Sequence, residues 1–175
     1  MINSRLTRKR DERIRQEDEL SVAAALYGEI LLLRRELAYV GRSVAKTYTA
    51  QSVINPYMKF NAHFLESNKL SDPMLYKALA PKIGLLNAEL IIPIIEFYSN
   101  LEETRRWLPQ LIENADRNFD YDVRHVLDPV RDAVQKVKPA LRKIEGMVGI
   151  SKPAGDPDLA NVESVIEYEE DRSAA

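Results

Sequence analysis

A stepped apolar pattern between residues 20 and 48 constrains the fold of this chain more than any other feature. Apolar residues recur there at alternating steps of three and four, the spacing that places side chains on one face of an α-helix. Further apolar residues widen this face beyond the narrow seam of a coiled coil, which favours a helical bundle over a dimeric rod. The stripe comprises Ala23, Leu26, Ile30, Leu33, Leu37, Val40 and Val44, and it is widened by Tyr27, Leu31, Leu32 and Ala38.

Two further segments, residues 87–111 and 123–148, repeat this spacing and predict two more long helices. Each segment contains two prolines, which are expected to bend its helix because proline lacks a backbone N–H and crowds the preceding turn. The first stripe comprises Leu90, Ile94, Phe97, Leu101, Thr104, Leu108 and Leu111, with Pro93 and Pro109; the second comprises Val123, Leu127, Val130, Val134, Val137, Leu141, Ile144 and Val148, with Pro129 and Pro139.

The most apolar stretch of the chain, residues 83–98, is predicted to be a buried hub that contains the start of the central helix. A short helix is predicted before it, with Ser71 or Asp72 as its cap and Pro73 as its first residue. Residues 57–65 fit either a loop or a short helix packed on the bundle. The expected fold is therefore an all-α, antiparallel bundle of three long helices and one short helix.

The two ends of the chain differ from the middle in composition. Residues 1–19 are charged and rich in helix-forming residues, which predicts an arm that extends the first helix beyond the bundle. Helix 1, if it spans residues 11–48, would be about 57 Å long, against about 43 Å for the last long helix. Residues 20–149 would form the bundle, and residues 150–175, with three Pro or Gly residues and many acids, are expected to be a disordered tail.

Composition narrows the classes of function. The chain has 175 residues, no cysteine and a formal net charge of −2, which suits one cytoplasmic domain and excludes disulfides and thiolate chemistry. No apolar run approaches the roughly 20 residues needed to span a bilayer, and no secretory leader follows the basic N-terminus. Phosphate-binding loops, nucleophile elbows and zinc-protease motifs are absent from the sequence.

One polar cluster is a candidate metal site. His125 lies three residues from both Asp122 and Asp128, so three possible ligands fall near one another on a helix surface. A catalytic zinc site usually needs a second histidine, and a di-iron bundle needs two Glu-x-x-His pairs, neither of which is present. An ordinary solvated helix start is therefore the favoured interpretation, and a metal-dependent enzyme centred on His125 is an alternative.

Two other polar patterns are interpreted structurally. Residues 116–127 begin like a calcium-binding loop, but Tyr121 stands where a glycine is required and Leu127 where a glutamate is required. Glu89 and Glu96 are the acids of the apolar hub and lie two helical turns apart, whereas glycosidase chemistry needs carboxylates that face each other across a cleft. Neither pattern predicts a catalytic residue.

The start of the chain is the candidate contact region for phosphate or lipid. Arg5, Arg8, Lys9 and Arg10 occur within ten residues that contain no acid, which favours contact with an anionic membrane surface. Nucleic acid is a weaker alternative, because residues 11–19 bring five acids and no aromatic residue is available to stack on bases.

A motif near the middle of the chain resembles a known pattern. The run from Gly84 to Leu90, followed by Phe97 and Tyr98, resembles the Gly-Leu-Leu-x-x-Glu-Leu…Phe-Tyr pattern of uncharacterised bacterial membrane-anchored helical proteins. In those proteins a transmembrane helix precedes a basic stretch and a long helix, and the resemblance covers residues 5–111. It implies a cytoplasmic, membrane-proximal helical domain and no catalytic residue, although the expected span is absent from this sequence.

Together these observations predict a non-enzymatic structural or interaction module. No catalytic residue and no cofactor are expected. The predicted partners are another protein, a second copy of the chain, or the anionic inner face of a membrane. Binding of nucleic acid through the basic arm and metal-dependent catalysis at His125 are the alternatives.

Overall fold

The fold is all-α, as the sequence predicts, in a computed structural model that describes residues 2–53, 60–112 and 122–174. Two short 3₁₀ turns, Ala80–Leu85 and Leu108–Leu111, accompany the α-helices. The α-helices are α1 (Ile2–Val53), α2 (Ala62–Ser67), α3 (Met74–Leu79), α4 (Ala88–Trp107), α5 (Arg124–Lys136), α6 (Lys138–Val148) and α7 (Ala160–Ala174).

Helices α1 and α4 run in the same direction. A carboxylate oxygen of Glu19 accepts a hydrogen bond from the backbone N–H of Asn87, and ten residues further along α1 Glu29 accepts one from the hydroxyl of Tyr98. Residue numbers therefore rise together along the two helices. The prediction of an antiparallel arrangement is therefore wrong for this pair. The two helices run in the same direction because α2, α3 and the first 3₁₀ turn carry the chain back along the bundle before α4 begins.

Helices α5 and α6 run opposite to α1, in agreement with the antiparallel prediction. Arg34 of α1 contacts Val134, whereas Tyr27, one to two turns earlier in α1, contacts Glu145, which lies later in the chain. These two helices occupy the segment predicted as one bent helix. The chain separates them at Val137, because Pro139 falls in the first turn of α6, where a missing backbone N–H does no harm.

The predicted stripes form the core. All seven stripe residues of α1 are buried, and so are Leu90, Ile94, Phe97 and Leu101 of α4. The apolar hub is nevertheless buried on only one side, since Ile92 is 59% exposed. Asn87 caps α4, with its side-chain oxygen accepting from the N–H of Leu90 at 3.2 Å.

The C-terminal segment is a helix that packs on the bundle, so the prediction of a disordered tail is wrong. Val162, Val165 and Ile166 of α7 are buried, and the helix lies against both α1 and α5. These residues have the i, i+3, i+4 spacing of an apolar helical face, which the acid-rich composition of the segment obscures. The helical body therefore continues through residue 174 and does not end at residue 149.

The N-terminal part of α1 projects from this body. Every side chain from residue 7 to residue 18 is exposed, and from residue 7 onward the first buried side chain of α1 is Val22. We call residues 7–18 the arm. Within the described residues, no helix combines the length and apolar character needed to cross a bilayer.

Candidate functional site

The predicted metal ligands are not brought together around a common point. The ring of His125 stacks on Trp107, with centroids 4.7 Å apart and planes 19° apart. Asp122 accepts a hydrogen bond from the backbone N–H of Arg124, and Asp128 forms ion pairs with two arginines of α5. In the part of the chain that the structure describes, no three His, Asp or Glu side chains are placed to hold one ion.

The two acids of the apolar hub are both exposed to solvent. Glu89 is exposed and pairs with Lys143 of α6, whose hydrogen bond lowers the pKa of Glu89. Glu96 is exposed on the outer face of α4. The polar turn at residues 116–120, which only resembles a calcium loop, lies outside the described residues.

A buried carboxylate that sequence reasoning missed joins α1 to α3 and α4. The carboxylate of Glu29 accepts hydrogen bonds from the backbone N–H groups of Leu75 at 2.6 Å and Tyr76 at 2.9 Å, and from the hydroxyl of Tyr98 at 2.7 Å. Burial, reinforced by this carboxylate, raises the pKa of Tyr98 above its ordinary value. Glu29 thereby supplies acceptors at the start of α3.

This contact corrects the predicted start of the short helix. Pro73 is the N-cap residue of α3, not its first helical residue, and makes no side-chain capping bond. Ser71 and Asp72 are engaged elsewhere: Ser71 donates to Glu36, and Asp72 pairs with Arg105. The cap is therefore a carboxylate from another helix, which local sequence does not reveal.

A second buried carboxylate, Glu145, holds the segment that follows α6. It accepts hydrogen bonds from the hydroxyl of Tyr27 at 2.8 Å, from Arg142 at 2.8 and 2.9 Å, and from the N–H of Ala154 at 3.0 Å. Burial opposes ionisation of Glu145, but these hydrogen bonds outweigh it and lower the pKa of the carboxyl group. The chain is thus fixed to α1 and α6 at this point.

Arg34 holds the same segment, residues 149–159, which we call the strap. This side chain is 3% exposed, and it donates to the backbone oxygen of Val134 and to Asp156, each at 2.8 Å. Lys138 also pairs with Asp156. The hydrogen bonds from Lys138 and Arg34 lower the pKa of Asp156 to about 2, so the carboxylate is ionised at neutral pH.

The end of α7 is tied to the end of α1 by a third buried carboxylate. The hydroxyl of Tyr48 donates to Glu169, which also pairs with Arg172 at 2.9 Å. Burial and the hydrogen bond to Glu169 raise the pKa of Tyr48 to about 12. The sequence contains a faint signal for this residue, because Glu169 lies three residues after Ile166 and so continues the apolar face of α7.

The arm carries the predicted phosphate or lipid contacts. Arg8, Lys9 and Arg10 are exposed there, whereas the side chain of Arg5 lies outside the described part of the structure. Arg13 and Glu17 form an ion pair at 3.4 Å that is exposed on both sides, and such pairs contribute little to stability. The basic groups of the arm are therefore open to an external partner.

Comparisons with protein-family models, with curated proteins and with solved structures find no significant match to this chain. The resemblance to the membrane-anchored bacterial proteins stays a prediction.

Proposed function

We propose that this protein is a non-enzymatic interaction module whose arm binds an anionic partner. The observation that carries the proposal is the contrast between two sets of charges. Glu29, Arg34, Glu145 and Glu169 are buried and hold helices or the strap in place. The basic groups of the arm are exposed.

The chemistry of the arm favours a charged partner over an apolar one. Ile14 is the one large apolar side chain between residues 7 and 18, so the arm has no stripe that would bury itself in a groove. Its basic groups attract carboxylate or phosphate at long range, and salt screens this attraction. The arm also lacks aromatic residues for stacking on bases, which disfavours nucleic acid.

A cytoplasmic position near the inner face of a membrane fits this proposal and stays a prediction. Flotation of the full chain with anionic vesicles, compared with neutral vesicles, tests it. Recovery of the chain with the anionic vesicles alone would support contact with lipid headgroups, and equal recovery would count against it.

The proposal itself is tested by the variant Arg8→Gln/Lys9→Gln/Arg10→Gln. We expect this variant to elute from a sulfonated cation-exchange matrix at lower salt than the wild-type chain, because it lacks the exposed charges that bind the matrix. Its thermal unfolding midpoint should be unchanged, because all three side chains are exposed. A matched control, Asp11→Asn/Glu12→Gln, should elute at the same salt as the wild type or later.

Two results would contradict the proposal. One is unchanged elution of the triple variant, which would show that the arm does not govern contact with anions. The other is a fall of several degrees in its unfolding midpoint, which would show that the arm is part of the folded body.

A further inference from the structure

The two ends of the chain carry opposite charge. Residues 1–10 contain four basic residues and no acid. Helix α7 contains five carboxylates against one arginine, a net charge of −4. Glu167 and Asp171 are exposed, and neither forms an ion pair within the described residues. The molecule therefore has one basic end and one acidic end.

These two ends lie far apart in one molecule. The hydrogen bond between Tyr48 and Glu169 places the acidic end of α7 beside the C-terminal end of α1. Lys9 and Arg10 lie at the opposite end of the same helix, about 57 Å away at 1.5 Å per residue. An arginine or lysine side chain reaches only a small fraction of that distance, so the arm of one copy meets an acidic helix only in another copy.

The two surfaces match in spacing as well as in charge. Lys9 and Arg13 lie one helical turn apart on the arm, and Glu167 and Asp171 lie one turn apart on α7. Tyr168, the residue after Glu167, is 56% exposed and offers an aromatic face to a guanidinium group. The arm and α7 can thus pair side by side, with Lys9 and Arg13 opposite the two acids. Arg13 would then exchange its exposed ion pair with Glu17 for one with the second copy.

Lys9, Arg10 and Arg13 form a basic stripe on the arm, and all three side chains are exposed to solvent. A groove of about 280 Å³ separates the base of the arm from the 3₁₀ turn before α4, and it is lined on the arm by Glu12, Arg15, Gln16 and Glu19. At 100° per residue, Arg10 and Arg13 face away from that lining, whereas Lys9 falls beside Gln16 at its edge. A second molecule therefore reaches the stripe without displacing the bundle.

We propose that the partner of the arm is a second copy of this chain, bound head to tail through Lys9, Arg10 and Arg13 of one copy and Glu167, Tyr168 and Asp171 of the next. This inference rests on the proposed function of the arm. Each copy keeps a free arm at one end and a free α7 at the other, so the contact is heterologous and adds further copies in a row. Exposed ion pairs are individually weak, so the association is weak and sensitive to salt.

Sedimentation equilibrium of the full chain tests the association. At about 1 mM protein and about 20 mM salt we expect the weight-average mass to exceed twice the monomer mass of 20.0 kDa, and to return to 20.0 kDa at about 300 mM salt. A mass of 20.0 kDa under both conditions would overturn the proposal.

Two half-blocked variants make the test specific. The arm variant, Lys9→Gln/Arg10→Gln/Arg13→Gln, keeps an acidic α7, and the helix variant, Glu167→Gln/Asp171→Asn, keeps a basic arm. Glu170 is left intact because it pairs with Arg124 within the molecule. Each variant alone should stay monomeric, whereas an equimolar mixture should form a complex of two chains that grows no further. All the substituted side chains are exposed, and unchanged circular dichroism serves as the check on folding.

The outcomes separate this inference from the function on which it rests. A monomeric mixture, combined with arm-dependent retention on the cation-exchange matrix, would overturn head-to-tail pairing and leave the proposed function standing. Arm-dependent flotation with anionic vesicles by a chain that stays monomeric would do the same and would identify lipid as the partner. Retention that does not depend on the arm would refute both.

Discussion

The arm and α7 are both helical, charged and terminal, yet one projects and the other docks. Helix α7 places Val162, Val165 and Ile166 on one face and buries them against α1 and α5. The arm has only Ile14, which stays 43% exposed. The comparison teaches that the spacing of a few apolar residues, and not the total charge of a segment, decides whether a helix packs.

Polar contacts add a second difference between the two ends. Arg34 and Glu145 form hydrogen bonds with the strap, which leads into α7. Tyr48 forms a hydrogen bond with α7 itself. At the base of the arm, a carboxylate oxygen of Glu19 accepts a hydrogen bond from the N–H of Asn87 at 3.2 Å. The docked helix α7 thus combines apolar burial with hydrogen bonds to its neighbours. Removing a buried apolar side chain and removing a hydrogen bond should both destabilise the protein, but by different amounts.

The largest effect should come from apolar burial. Ile166→Ala removes a side chain that is 2% exposed and leaves a cavity between α7 and the body, so we expect a loss of about 3 kcal/mol of unfolding free energy. Ile14→Ala is the matched change in the arm and should alter stability by less than about 0.5 kcal/mol. Urea unfolding followed by circular dichroism measures both, and similar losses would break the comparison.

The next effect concerns how closely α1 approaches α5 and α7. A methyl group on Gly41 would lie 2.7 Å from a methyl of Val130 and 3.1 Å from one of Val162. Gly41→Ala should therefore destabilise the protein by about 1–2 kcal/mol, although alanine favours a helix.

Gly28 provides the control for this substitution. It lies in the same helix with no atom within 4 Å of an added methyl group, so Gly28→Ala should stabilise the protein by about 0.5–1 kcal/mol. Thermal unfolding of the two variants should shift in opposite directions. A stabilising shift in both variants would mean that α5 and α7 lie further from α1 than the structure places them.

A smaller effect should follow from the tie at the end of α7. Tyr48→Phe removes the hydroxyl that donates to the buried carboxylate of Glu169, and we expect a loss of about 1 kcal/mol. Tyr168→Phe removes an exposed hydroxyl from the same helix and should leave the unfolding midpoint unchanged. Equal midpoints for the two variants would show that Tyr48 does not hold α7.

The smallest effect on stability should come from the ion pairs of Asp156 in the strap. This effect should depend on pH. The pKa of Asp156 is about 2 in the folded chain, below its ordinary value of 3.8, so its contribution is present above about pH 4 and is lost as the pH falls through 2. Asp156 is 39% exposed, and solvent screening limits the contribution to about 0.5 kcal/mol.

The variant Asp156→Asn isolates this contribution. We expect it to be less stable than the wild type at pH 7 and equally stable near pH 2, as measured by urea unfolding across that range. A difference between the two chains that stays constant with pH would assign the effect to packing and not to the charge.

The sequence predicted the apolar core well and the polar contacts poorly. Apolar stripes such as that from Ala23 to Val44 can be recognised in the sequence because the residues of a helical face recur at a short, regular spacing. Glu29 and Glu145 have no such signature, since a carboxylate inside a helix is usually solvated. Their donors, Tyr98 and Tyr27, come from helices that are distant in sequence, so only the folded arrangement brings them together.

The candidate sites show the same division. The basic cluster of the arm can be predicted directly from the sequence, because it depends only on residues that are neighbours in the chain. The cluster at His125 was also local, but stacking on Trp107 of another helix directs that ring to a structural contact. The acidic face of α7 was hidden by the expectation of disorder, which rested on composition.

The helical character of the chain, the positions of its apolar faces and the cluster of basic residues at its start can all be predicted from the sequence. These properties follow from spacing and composition over one or two turns of helix. The tertiary structure alone decided that α4 runs parallel to α1, that α7 docks, and that four buried charges join the helices. The physical reason is that burying a charge or an end helix requires partners from elsewhere in the chain, and their positions are set only when the whole bundle is assembled.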